Sequence, residues 1–169
     1  FELHYQEISD LNTSQVIGFE ALLRWEHPTK GLLTPSEFLY LAEETGIILL
    51  IETWVVEEVS RQLQLWHDDS RYQNAFIAIN LSGRHLTQPN QLNTLISLIE
   101  RQEFEPQRLI LEFNESAFCN HADLALKGLR KLKNHGVKLA LDDYASGVSP
   151  FSFLHSYHFE FIKLDRGFI

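Results

Sequence analysis

Carboxylates, an amide and a lysine recur at one kind of position in this chain, the end of an apolar, strand-like run. Tyr5-Gln6, Phe19-Glu20-Ala21-Leu22, Ala78-Ile79-Asn80, Ile110-Leu111-Glu112, Ala140-Leu141-Asp142-Asp143 and Ile162-Lys163 all follow the pattern. An ionised carboxylate in apolar surroundings is costly unless it is paired or bound to a metal. Several of them, each closing a different strand, point to one shared acidic site. Side chains alternate faces along a strand, which keeps Glu20, Leu22 and Arg24 on one face. By the same rule Asn80 lies with Ala78, Glu112 with Ile110, Asp142 with Ala140 and Lys163 with Phe161. Each polar residue follows small or apolar ones at the carboxyl end of its strand. Parallel barrels and doubly wound sheets both carry their sites at that end.

The elements that must hold these residues alternate in type. Strands are expected over 2–8, 16–25, 75–81, 108–113, 137–142 and 159–164. The capping box Thr34-Pro35-Ser36-Glu37 predicts a helix that stops near Gly46. A longer helix over 49–67 has Ile51, Val55, Val59, Leu63 and Trp66 along one face. Further helices are expected from Pro89 to 102, over 122–135 with a stop at Gly136, and from Ser149-Pro150. Strand–helix alternation with short loops predicts parallel strands covered by helices. The tight turn at 10–14 makes the first pair of strands antiparallel. No linker or repeat divides the chain, so one domain is expected.

Composition narrows the function. Hydrophobic residues make up 44% of the chain, as in an ordinary globular core. Lys and Arg total 14 against 23 Asp and Glu, a formal net charge of -9. That disfavours broad binding to a nucleic-acid polymer, which needs a basic face. A small anion held through metal ions remains compatible with it. The single cysteine, Cys119, excludes an internal disulfide and fits a cytoplasmic setting.

The motifs, in order, resemble the EAL domain family. The resemblance rests on Gly18-Phe19-Glu20-Ala21-Leu22-Leu23-Arg24-Trp25, Tyr5-Gln6, Ala42-Glu43-Glu44-Thr45-Gly46 and Asn80-Leu81-Ser82, continued by Glu112-Phe113-Asn114-Glu115, Asp142-Asp143-Tyr144 and Ile162-Lys163-Leu164-Asp165. It implies an α/β fold, a TIM-type (β/α) barrel with an antiparallel first strand, represented here by roughly six of eight strands. Residues 1–169 would then be a partial EAL domain. It implies hydrolysis of cyclic di-GMP to linear pGpG with Mg²⁺ or Mn²⁺, two ions in all. Glu20, Asn80, Glu112 and Asp142 resemble the ligands of one metal, with Asp142 bridging to a second held by Asp143. Lys163 resembles the lysine that holds the attacking water or the phosphate; Glu20, Asp142 and Lys163 would form the catalytic set. Gln6, Leu22 and Arg24 resemble substrate contacts, and Glu115 a loop anchor. Oxygen-only ligands suit hard cations. Two such ions clamp the attacking and leaving oxygens of a phosphodiester.

The chain departs from the family pattern in three places. The loop after the paired aspartates reads Tyr144-Ala145-Ser146-Gly147-Val148-Ser149-Pro150, with one glycine where the family has two. Glu7 replaces a proline and Asn114 a threonine. The remaining barrel strands, with a further glutamate and glutamine, would follow Ile169, so the chain alone is expected to be inactive. The alternative is an impaired EAL-like receptor that binds cyclic di-GMP for signalling; a scaffold that binds neither would not explain the retained site residues. A homodimer, upstream GGDEF or sensory domains and a membrane-anchored parent protein all fit the resemblance. Read singly, several residues have plainer roles. Asn80 satisfies backbone groups at a strand end, Glu115 is solvated as readily as it binds, and Glu52, Glu57 and Glu58 form a solvated helix face. The tryptophans Trp25, Trp54 and Trp66 read as packing residues.

Overall fold

The structure, a computed structural model, describes residues 1–118, 121–144, 159–165 and 167, without the side chains of Glu115 and Ser116. The loop from Ala145, the helix expected at Ser149-Pro150, and Cys119 lie outside the described residues. The chain gathers into two compact units, Phe1–Ile79 and Asn80–Ile169.

In the first unit, β1 (Glu2–Ser9) and β2 (Val16–His27) pair antiparallel across the expected tight turn. The Asp10 carboxylate shapes that turn by accepting the amides of Asn12 and Thr13. On its other edge β2 pairs parallel with β4 (Phe76–Asn80), which brings Gly18 beside Phe76 and Glu20 beside Ala78. Sequence reading missed β3 (Gly31–Leu33), which folds back on the end of β2. A three-residue strand is too short to show alternation.

Helices α1 (Pro35–Thr45) and α2 (Ile48–Leu65) link β3 to β4. The capping box forms: the Thr34 amide donates to the Glu37 carboxylate at 2.7 Å. That bond holds the exposed Glu37 carboxyl below its usual range. Gly46 ends α1 at φ 77, a left-handed conformation that glycine adopts without steric cost. On α2, Ile51, Val55, Val59 and Leu63 are buried as the periodicity predicts. Glu52 departs from the expected solvated face: it is buried at 5% exposure, between Ile51 and the Val55-Val56 pair in sequence. Trp25 and Trp54 each pack against the Phe1 ring at a tilt, and Trp66 packs on Tyr5, Phe19 and Tyr72.

Two packing details lead to predictions. A Cβ on Gly18 would lie 2.4 Å from the ring of buried Phe76. Gly18→Ala is therefore expected to destabilise the domain by about 1–3 kcal/mol, read as a lower urea midpoint at unchanged slope. The Tyr5 hydroxyl is the second. Burial, and then the Glu58 carboxylate, push its pKa from 10.0 to about 12. The folded state holds that proton more tightly than the unfolded chain does. The resulting stability is full below pH 10.0 and drains away as pH rises toward about 12. A phenolate absorbance titration should show a late-titrating tyrosine that is lost in Tyr5→Phe.

The second unit opens with the last residue of β4, Asn80, and the short helix α3 (Arg84–Thr87). Helix α4 (Pro89–Glu100) leads to β5 (Leu109–Asn114), and α5 (Ala122–Asn134) to β6 (Lys138–Tyr144). β6 pairs parallel with β5 on one edge and with β7 (Phe161–Leu164) on the other. Leu109 to Phe113 and Leu139 to Leu141 are all buried. Burial on both faces is what the near-continuous apolar runs of a helix-covered parallel sheet require. Gly128 of α5 lies close to the backbone of Leu86 in α3, where a Cβ would come within 3.0 Å of the Leu86 carbonyl. Among the described residues no helix is long and apolar enough to cross a membrane.

Candidate functional site

The second unit places Glu112, Asp142 and Lys163 together. Glu112 is the fourth residue of β5 and is 2% exposed. Its register partner on β6 is Ala140, so Asp142 stands two residues further along the same face, opposite Asn114. The Lys163 ammonium lies 2.8 Å from Glu112 Oε2 and 3.5 Å from Asp142 Oδ1. A buried acid is thereby joined to a cation at the sheet's carboxyl end, and a second acid faces the same charge.

A bulge aims these side chains. Leu141 pairs with Ile162 and Tyr144 with Leu164, so Asp142 and Asp143 together oppose Lys163 alone. Such two-against-one pairings bend a strand and redirect its side chains, and they are rare between parallel strands. Asp143 takes φ 52, a left-handed value that aspartate tolerates better than most residues. Its amide donates to Asp142 Oδ1 at 3.0 Å and so fixes the neighbouring carboxylate. Asp143 itself is exposed.

Asn80, also exposed, ends β4, and the amide of the next residue, Leu81, donates to the Glu112 carbonyl at 3.0 Å. That bond ties the Asn80 strand end to the backbone of the buried acid. Glu115 begins a 3-10 turn, Glu115–Phe118, directly after β5. Strand parity therefore does not govern where it points, and its side chain lies outside the described residues.

In the first unit the cross-strand register sets Gln6 opposite Glu20, His4 opposite Leu22 and Glu2 opposite Arg24. Gln6 is exposed; Glu20, Leu22 and Arg24 are half-buried. Arg24 Nη1 donates to the Leu23 carbonyl at 2.7 Å, which draws the guanidinium back along its own strand. Among the described residues, no three His, Cys, Asp or Glu side chains form a cluster able to hold a metal ion. The donor chemistry of Glu112 and Asp142 nevertheless suits one. Both offer hard carboxylate oxygens, and both already face a single positive group in Lys163.

Sequence reading missed the contacts that hold β7. The Glu160 carboxylate accepts the Leu139 amide and pairs with Lys133, 27 residues away. No local pattern announces a bond between a side chain and a distant backbone amide.

The chain belongs to the EAL domain family, whose model matches residues 1–169. It is similar to the Pseudomonas aeruginosa protein MucR, a bifunctional diguanylate cyclase/cyclic di-GMP phosphodiesterase. The two are 41% identical over 167 residues, which cover 99% of this chain and 24% of MucR. Among solved structures, the MucR phosphodiesterase in its c-di-GMP complex superposes with a TM-score of 0.91 at 40% identity, covering 99% of this chain and 67% of that one. The EAL enzyme Bd1971 with cAMP and cyclic di-GMP bound gives 0.85 at 29% identity, over 99% and 46%. The chain thus spans about a quarter of the length of the curated relative MucR. Likeness over nearly the whole chain identifies the fold as an incomplete TIM-type α/β barrel with an antiparallel first strand.

Proposed function

We propose that this chain forms most of a domain that hydrolyses cyclic di-GMP to linear pGpG with the help of Mg²⁺ or Mn²⁺. The observation that carries the reading is the Lys163 ammonium held between buried Glu112 and Asp142 at the carboxyl end of a parallel sheet. The activity of MucR and its complex with cyclic di-GMP support the substrate. Asn80, Glu112 and Asp142 would hold one ion and Asp143, with Asp142, a second; the family resemblance adds Glu20 to the ligands. Bound ions of this kind lower the pKa of a coordinated water and neutralise charge on the phosphodiester.

The chain's own side chains do the rest. Gln6, Leu22 and Arg24 bind and orient the dinucleotide, with the Arg24 fork turned from the Leu23 carbonyl onto a phosphate. Lys163 places a positive charge where negative charge grows on the phosphoryl oxygens. Glu112, almost fully buried, fixes that lysine in place. The test is incubation of the full-length protein with cyclic di-GMP and Mn²⁺. Release of pGpG is expected. Tight binding without product would make the domain a receptor, and the altered loop from Ala145 would then be the first place to look.

A further inference from the structure

β7 is only four residues long, and its contribution to the site is a single side chain, Lys163. So short a strand has few ladder bonds with which to define its register. A slip of one residue would carry Lys163 to the opposite face of the sheet and bring Ile162 or Leu164 toward Glu112. At its far end β7 is joined to β6 by the Asp165 amide, which donates to the Tyr144 carbonyl at 3.3 Å. Between lies the bulge, where pairing is interrupted.

At its near end, Glu160 bonds to β6 twice. The Glu160 amide donates to the Leu139 carbonyl at 2.9 Å. The Glu160 carboxylate accepts the Leu139 amide, also at 2.9 Å. Both polar groups of Leu139 therefore bond to Glu160. The other carboxylate oxygen accepts Lys133 Nζ, from the last turn of α5. Lys133 and Glu160 are each about one third exposed, so their pairing alone is worth little to global stability. Its effect is to direct the carboxylate.

We propose that Glu160 is a positioning residue for the hydrolysis: its carboxylate, clamped between Lys133 and the Leu139 amide, sets the register of β7 and thereby holds Lys163 against Glu112 and Asp142. The consequence for turnover rests on the phosphodiesterase reading; the consequence for register does not.

Two measurements on the full-length protein separate them. The first needs no activity. A double-mutant cycle in urea unfolding, with Lys163→Met and Glu112→Gln, gives the coupling between that pair. In a Glu160→Ala background the coupling is expected to vanish; in Glu160→Gln, whose side-chain oxygen still accepts the Leu139 amide, most of it is expected to remain. An undiminished coupling in Glu160→Ala overturns the proposal. The second uses pGpG release per folded molecule. Glu160→Ala is expected to lower kcat on the order of tenfold or more, with KM little changed and most of kcat kept in Glu160→Gln. Glu160→Ala combined with Lys163→Ala should be no slower than Lys163→Ala alone. Additive losses would mean that Glu160 does not act through Lys163. A wild-type protein that releases no pGpG refutes the hydrolase reading and leaves the unfolding cycle to decide the role of Glu160.

Discussion

Glu20→Ala in the full-length protein is expected to abolish metal-dependent release of pGpG while leaving the fold intact. Glu20 is half-buried on β2, and its register partners are Gln6 on one side and Ala78 on the other. The backbone ladders of β2 pass through residue 20 whatever its side chain, so truncation removes a carboxylate without breaking a sheet. Function suffers because the ion would lose an oxygen ligand that no neighbouring carboxylate on β1 or β4 replaces by register. The circular dichroism spectrum should match wild type. Undiminished turnover would remove Glu20 from the ligand set and with it the proposed first metal position.

Lys163→Ala should do two things at once. It takes from Glu112, 2% exposed, the ammonium at 2.8 Å. Breaking one side of a buried pair costs about 3–5 kcal/mol, and the partial exposure of Lys163 sets the expectation at about 3 kcal/mol. It also removes positive charge from the place where phosphoryl charge develops, a loss on the order of 10²–10³ in kcat. The two effects separate under Mn²⁺. If Glu112 and Asp142 are metal ligands, saturating Mn²⁺ restores much of the variant's thermal stability but not its rate. Stability that ignores Mn²⁺ would count against a metal at this position, and an unchanged rate would count against any role of Lys163 in the chemistry.

Much of this site could be read from single-residue periodicity. Period-two alternation put Glu112 with Ile110 and Lys163 with Phe161, and the strand that carries Glu112 is a buried run whose end is sharp. Helix boundaries at Pro35, Gly46 and Pro89 followed from backbone preferences that act over a few residues. What stayed hidden depends on distant pairing. The bulge at Asp142-Asp143 exists only relative to β7. The burial of Glu52 reflects what packs on α2, whereas an acid flanking an apolar stripe reads as solvated by default. The ring of Phe76 over Gly18 joins residues far apart in sequence, and nothing in the glycine itself names its neighbour.

The unequal pairing of β6 and β7 has a consequence for how such domains could lose activity over generations. The strand flanks are already in register on both sides of Asp142-Asp143, at Leu141 with Ile162 and at Tyr144 with Leu164. Loss of a single codon for either aspartate would therefore straighten the ladder and leave the pairs on both sides unmoved. One short deletion would strip half of the acidic dyad and spare the architecture, which makes this pair a point where a hydrolase lineage can turn into a binding lineage without passing through a misfolded ancestor.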